Sequence, residues 1–573
     1  MSWATRPSPP ATTTESRRRS CDMAPARWTG LIGAGLRTML ARRVALLSDQ
    51  RHWAANSGRI QRAQLRGLLE HAARTEFGRE HAFDKILNAP SADLVRAFRE
   101  RVPIREALEF RDPFARMREH AEPDVTWPGV VRDWAQTSGT TAGDKFIPVS
   151  REMMRHNYHC SLDIFAHAAR GGLPLSRLFS GRILFLGGSS DLTTNEHGVR
   201  TGDLSGLVTP LIRWPLSAVY LPGPKIALMS DWPAKIDAMA RRCLDEDVRA
   251  VSGMASWSLV LFQRVLELAH ERGDGARTLR DVWPNFELFI HGGVKYAPFE
   301  PRVREAWSGA TDGADVPLRV EVYPASEAFV ATQDRPGRLG AEPGLRLNVD
   351  REVYFEFVPL EEIGSHDARA FACDEVEKGQ RYVVVLTTCA GLWRYVLGDV
   401  VEFDTIPPEG PTRLRIVGRH KHFINAFGEN LIVEHIENAV AAAAAETGVR
   451  IGEFSAAPVY PDDGAGRRSG LELAIETEAD STLLARFADA FDRSLKSQNV
   501  DYTTKRTGDL GMAPPVLTAL PPGAFHAWMA SVGKLGGQHK CPRCANHREI
   551  IDGVVKISGV ESGITGGGIG ISS

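Results

Sequence analysis

Cysteine is scarce, with seven among 573 residues. That is too few for the disulfide framework of a secreted domain, and the odd count leaves at least one thiol free. No run of about 18 apolar residues occurs, which excludes a membrane-spanning helix at the level of sequence. No charge sign dominates either: 69 Lys and Arg stand against 71 Asp and Glu, for a net charge of -2. Such a balance offers no general attraction to nucleic acid or to an anionic lipid surface. Collagen-like, fibrous and wholly disordered compositions are absent as well. What remains is a chain 43% hydrophobic and 24% charged, expected to be a large cytoplasmic enzyme, monomeric, with no nucleic acid or membrane partner. At roughly 150 residues per domain it has room for about three or four units.

The first 22 residues are rich in Ser, Thr, Pro and Arg, and read as a disordered or non-native extension before a start at Met23. Arg17-Arg18-Arg19 is followed by no adequate apolar stretch, so no secretory signal is expected. Leu65, Leu68, Leu69 and Ala72 recur at helical spacing and predict a helix over 58–75. Further helices are predicted at 92–101, 103–119, 151–170, 231–245 and 256–271. Short apolar runs at 183–186, 286–290, 318–323, 353–358, 382–386 and 400–403 have the length of strands. This alternation predicts an α/β protein of several subdomains. Beyond it lie the Ala-rich helix 434–447, strands 454–459 and 471–477, and helix 481–494, which suggest a smaller αββα-like unit. The expected division is therefore 1–22, a large domain 23–418, a small mobile domain 419–550, and a Gly-rich tail 551–573.

Chemistry concentrates in a few segments. Thr137-Ser138-Gly139-Thr140-Thr141-Ala142-Gly143-Asp144-Lys145 combines hydroxyls and close-approach backbone N–H groups with a terminal cation, a combination suited to phosphate. It is no Walker A loop: Asp144 separates Gly143 from Lys145, and Phe146 stands where a magnesium-binding Ser or Thr is required. Tyr323-Pro324-Ala325-Ser326-Glu327 places a carboxylate at a strand end, where it can hold Mg²⁺ against a triphosphate. Trp393-Arg394-Tyr395-Val396-Leu397-Gly398-Asp399 offers an Asp after a tight turn, the kind of group that accepts ribose hydroxyls. Gly418-Arg419-His420 leads to Gly428-Glu429-Asn430. A basic, glycine-rich loop from Gly533 to Lys540 suits a mobile anion-binding element. Cys541 and Cys544 have metal-ligand spacing, but no second pair completes a zinc site, and reduced thiols are expected.

Taken in this order, the segments resemble the adenylate-forming superfamily. More closely, they are similar to the Gretchen Hagen 3 family of acyl acid–amido synthetases, known as auxin-responsive proteins in plants and found also in bacteria. The resemblance runs from about Gln61 to Arg543 and includes Thr75-Glu76-Phe77-Gly78, His291-Gly292-Gly293 and Gly537-Gln538-His539-Lys540. It implies an adenylate-forming fold: a large N-terminal part of β-barrel and α/β sheets, with a small mobile α+β C-terminal domain. It also implies ATP as co-substrate with Mg²⁺, and a carboxylic acid and an amino acid as small-molecule partners. Thr137, Ser138, Gly139, Thr140 and Thr141 would bind phosphate, with Tyr323, Ala325 and Ser326 near the nucleotide. Asp399 would hold the ribose, Glu327 would ligate magnesium, and Lys540 would swing over the α-phosphate about a hinge near 419–425. Many relatives have Lys where this chain has Asn430, and Arg419 or Lys421 is the expected substitute cation. By family position the acyl pocket draws on Trp214, Leu216, Met254 and Trp257. Two alternatives remain at this level: an acyl-CoA ligase, and a nucleotide-binding protein without catalysis.

Overall fold

The structure is a computed structural model, and it describes residues 29–573 apart from 138–144, 188–191, 210–211, 213, 230, 274, 294–295, 298, 337–342, 366, 421–422, 425–430, 462–468, 508–510, 533–540, 561 and 563–573. In chain order the strands are β1 Asp133–Thr137, β2 Lys145–Val149, β3 Arg182–Leu186, β4 Thr193–Thr194, β5 Arg200–Gly202, β6 Tyr220–Leu221 and β7 Val248–Gly253. There follow β8 Leu288–Gly292, β9 Arg319–Pro324, β10 Phe329–Gln333, β11 Leu345–Leu347, β12 Val353–Pro359, β13 Arg381–Thr388, β14 Tyr395–Thr405 and β15 Arg413–Arg419. The last are β16 Phe423–Ile424, β17 Leu431–Ile432, β18 Phe454–Val459, β19 Gly470–Glu476 and β20 Val516–Leu520.

Eleven strands share one sheet in the order β12-β13-β14-β15-β11-β10-β9-β8-β7-β3-β6. One half, β6-β3-β7-β8-β9, is parallel. The other half, from β9 through β10 and β11 to β15, β14, β13 and β12, is antiparallel. These antiparallel strands stand where the barrel was expected. They pair on into the parallel strands through β9.

The parallel strands are apolar on both faces because helices cover both. On one face Leu288 and Ile290 of β8 join a core with Ile164 and Ala168 of helix Arg151–Arg170. On the other, Phe289 joins residues of helices Trp232–Leu244 and Ala255–Glu271. Helix Gln50–Ala72 begins earlier than the predicted 58–75, because Asp49 caps it by accepting the His52 N–H. A Cβ on Gly292 would lie 2.1 Å from the Val322 carbonyl oxygen, so the close approach of β8 to β9 requires glycine there.

Residues beyond β17 build a separate α+β layer. Strands β18-β19-β20 form its sheet, with helices Val433–Thr447 and Ser481–Gln498 enclosing a core of Leu473, Phe487 and Phe491. Strand β20, which sequence patterning did not single out, pairs parallel to β19. The layer docks on the large part through Trp257 and Val260, which pack against its core. Tyr460 meets Phe299 in return, with ring centroids 6.3 Å apart. Helix Glu549–Ser558 runs across the boundary expected at 551 and buries Ile550, Ile551 and Val554. Among the described residues no helix is long and apolar enough to cross a membrane.

Candidate active site

The Thr/Gly-rich segment connects two paired strands. β1 and β2 are antiparallel, and Thr137 stands opposite Lys145 across the pair. Ser138, Gly139, Thr140 and Thr141 lie outside the described residues. Lys145, the first residue after them, is described. Its Nζ lies 2.5 Å from Glu327 Oε1 and 4.8 Å from the Tyr395 ring centroid. The Tyr395 hydroxyl donates to the same Glu327 oxygen at 3.4 Å.

Glu327 owes its position to a tight turn between β9 and β10, closed by the Ala325 N–H donating to the Ala328 carbonyl at 3.0 Å. Ala325 and Ser326 form that turn and are half-buried. On the far side, helix Arg151–Arg170 supports it: the Phe329 N–H donates to His156 Nε2 at 2.9 Å, while His156 Nδ1 engages the Arg351 carbonyl. His156 is therefore neutral, with the proton on Nδ1. Burial, opposed by its backbone bond to Arg351, pushes its pKa down to about 4.

Asp399 is brought in by the β14–β15 hairpin, where it stands opposite Arg419. Arg419 Nε lies 2.5 Å from Asp399 Oδ1, and the Tyr323 hydroxyl donates to Oδ2. Gly398, at φ +93, lies inside β14 beside Asp399, where a turn was expected, and its carbonyl accepts the His420 N–H at 3.0 Å. Residue 394 holds the strand start: Arg394 Nε donates to the buried Glu356 at 2.8 Å, and its carbonyl accepts the Arg105 N–H at 2.9 Å.

Lys145, Glu327, Tyr395, Arg419, Asp399 and Tyr323 thus form one buried polar cluster, two cations against two carboxylates. Burial alone would push the Glu327 carboxyl up, but the Lys145 and Arg419 charges outweigh it and hold the pKa below the usual range. Burial would likewise lower Lys145, and Glu327 more than reverses it. Burial, with Asp399 alongside, lifts the Tyr323 hydroxyl well above its usual range, so it stays protonated and donates. Tyr395 is pushed up to about 12, chiefly by burial.

Sequence reasoning named Glu327, Asp399, Tyr323 and Arg419, and the fold brings all four together. It gave Tyr395 and His156 no role, although Tyr395 heads the segment chosen for Asp399. Lys145 was noted only as the charge ending the loop. Lys540, Lys421 and Asn430 lie outside the described residues. Trp214 is 74% exposed. Met254 packs over Gly293, and Trp257 faces the small domain, where Lys505 Nζ lies 4.0 Å from its ring centroid.

A metal site fits this arrangement only through Glu327. Among the described residues no group of three or more His, Cys, Asp or Glu could hold a metal ion. Cys541 and Cys544 are buried in two different apolar clusters.

The fold is shared with solved acyl acid amido synthetases. The structure titled AtGH3.15 acyl acid amido synthetase in complex with 2,4-DB superposes with a TM-score of 0.56 at 18% identity, covering 94% of this chain and 98% of that one. A second, titled GH3.15 acyl acid amido synthetase, gives 0.53 at 19% identity, over 88% and 94%. Three domain models of one family then match in succession: the GH3 family N-terminal domain over 46–210, the central domain over 347–419 and the C-terminal domain over 434–549. Together they account for more than half of the residues, and the chain belongs to the GH3 family. Among curated relatives, indole-3-acetic acid-amido synthetase GH3.8 of Oryza sativa subsp. indica is 24% identical over 62% of this chain and 53% of its own length. Indole-3-acetic acid-amido synthetase GH3.3 of Arabidopsis thaliana is 23% identical over 59% and 58%. Jasmonoyl--L-amino acid synthetase GH3.5 of Oryza sativa subsp. japonica is 29% identical over 38% and 33%. The matches to the first two span little more than half the length of those relatives.

Proposed function

We propose that this chain is an ATP-dependent acyl acid–amido synthetase whose adenylation centre is the Lys145–Glu327–Asp399 cluster. The observation that carries the reading is the convergence of three elements in a chain of this family. The exit of the Thr/Gly hairpin delivers Lys145, the β9–β10 turn Glu327, and the β14–β15 hairpin both Asp399 and Arg419 to the same buried spot.

The carboxylic acid needs no general base, being ionised at neutral pH. Its oxygen attacks the α-phosphorus of ATP, the bond to the bridging β-phosphate oxygen breaks, and pyrophosphate leaves. The amine nitrogen then attacks the acyl carbon, the bond to the phosphate oxygen breaks, AMP leaves, and the amine gives up a proton. Positioning and charge stabilisation carry both steps. Lys145, already held as a cation, is placed to exchange the Glu327 carboxylate for a phosphate oxygen. Asp399, held by Arg419 and Tyr323, presents a fixed acceptor to the ribose hydroxyls. Mg²⁺ bound with a triphosphate needs only one or two protein carboxylates, and Glu327 would hold it and so offset phosphate charge. Thr137 through Thr141 supply phosphate donors, and Lys540 supplies a further cation from the small domain, which turns about the hinge expected near 419–425 while Arg419 stays on β15. An acyl acid and an L-amino acid are the substrates, in line with the relatives' names, and the enzyme works as a cytoplasmic monomer.

The test is ATP–pyrophosphate exchange with a carboxylic acid library, followed by AMP release on adding amino acids. Exchange that depends on an acid, and AMP release that depends on an amino acid, support the reading. AMP release with coenzyme A in place of an amino acid replaces it, and Lys540→Ala with undiminished exchange removes Lys540 from the first step.

A further inference from the structure

A cleft of about 420 Å³ opens at the end of the parallel strands opposite to the charged cluster. Its lining comes from residues just before β8 and β9 and just after helix Arg151–Arg170: Gly171 to Pro174, Pro284 to Glu287, and Pro317 with Leu318. Glu327 lies past the other end of β9, which is about 20 Å long at ~3.3 Å per residue. The two places are therefore distinct.

Three observations describe what the cleft would hold. Glu287 is 7% exposed, the Arg177 guanidinium takes Oε1, and Oε2 has no hydrogen-bond partner. A buried carboxylate oxygen left unmet is costly, and an ammonium group relieves it. The carbonyl end of helix Arg151–Arg170 adjoins the same space and also favours a cation. Arg177, by contrast, has a side chain 61% exposed, with donors free to take a carboxylate. Its backbone is pinned, since Arg249 Nη1 donates to the Arg177 carbonyl at 2.8 Å while Arg249 Nε binds Asp247. Leu173, Pro174, Pro317 and Leu318 supply apolar wall. Arg177 and Arg249 balance Glu287 and Asp247, so the cleft suits a ligand of no net charge.

We infer that this cleft is a second small-molecule site, taking a zwitterionic α-amino acid with an apolar side chain. The ammonium pairs with Glu287, the carboxylate with Arg177, and the side chain lies on the proline and leucine wall. The inference stands on the cleft alone and holds whatever reaction the charged cluster performs.

Hydrogen–deuterium exchange of the full chain with millimolar L-phenylalanine tests it. The expected result is slowed exchange in 171–177 and 284–290, with at least about tenfold weaker protection by 2-phenylethylamine and by 3-phenylpropionate, each lacking one charge. Glu287→Gln keeps the shape and removes the charge, and should lose a similar factor. Because that side chain is buried, a thermal melt of the variant identifies any loss that comes from unfolding, and Arg177→Gln then replaces it. Unprotected segments, equal protection by the acid alone, or unchanged binding by both folded variants overturns the proposal. Protection confined to 320–330 reports the charged cluster and also counts against the cleft.

Discussion

Lys145 Nζ lies 2.5 Å from Glu327 Oε1, joining the exit of the Thr/Gly hairpin to the β9–β10 turn across 182 residues of chain. Both side chains are largely buried, at 17% and 7% exposure. Removing one partner strands the other charge, which costs about 3–5 kcal/mol at a buried site. Glu327→Ala should therefore lower the free energy of unfolding by several kcal/mol and abolish ATP–pyrophosphate exchange. The double variant Lys145→Met with Glu327→Gln should recover most of the stability in denaturant titration while leaving exchange absent. Recovered exchange would show that the pair is architectural only.

Asp399 is fixed from two sides, by Arg419 and by the Tyr323 hydroxyl. Asp399→Asn keeps the size but loses the charge, so the apparent KM for ATP should rise about tenfold or more. Tyr323→Phe removes one hydrogen bond to a charged group, worth roughly 1.5–3 kcal/mol, and should raise the same KM with a smaller change in kcat. Initial exchange rates across an ATP series separate the two parameters.

His156 ties the turn to pH. Its folded pKa is about 4, below the ~6.5 of a free histidine. Because the unfolded chain binds the proton more readily, the contribution of the neutral ring is complete above about pH 6.5 and is lost as pH falls through 4. The shift corresponds to roughly 3 kcal/mol. His167, pushed down to about 3 by burial, adds to the same acid limb. Urea midpoints should be flat from pH 7 to 8 and decline below 6.5, and His156→Gln should make that decline shallower. Exchange activity should fall along with stability, since protonated Nε2 no longer accepts the Phe329 N–H.

Lys505 Nζ sits 4.0 Å from the Trp257 ring centroid and 5.0 Å from that of Trp232, so one cation of the small domain rests on two indoles of the large one. A desolvated contact of this kind is worth about 2 kcal/mol. Lys505→Met should change the tryptophan emission and speed hydrogen exchange in helix Val500–Arg506, with the β8–β9 region unaffected. Equal speeding in both would mean global loosening instead.

Helix Arg151–Arg170 matches its predicted span, and β3, β8, β9, β12, β13 and β14 of the large sheet overlap their apolar runs. Their periodicity is local and needs only neighbouring residues to be read. Strands β6, β7, β10, β11, β15 and β20 were not singled out, and each is paired with a strand distant in the sequence or across a hairpin. The same holds for the site. Glu327 and Asp399 announced themselves as carboxylates beside turns, whereas Tyr395 and His156 look like ordinary core residues until the sheet sets them against the turn.

By itself the amino-acid sequence determined the alternation of helices and strands, the order of the chemical segments, and the absence of any strong charge to draw in a polymer partner. It could not determine which charges neutralise one another. Only the tertiary structure decided that Lys145 answers Glu327 and Arg419 answers Asp399. The first pair joins separate turns 182 residues apart and the second faces across one hairpin, and a charge acquires its partner, its burial and its pKa only when the sheet closes the distance.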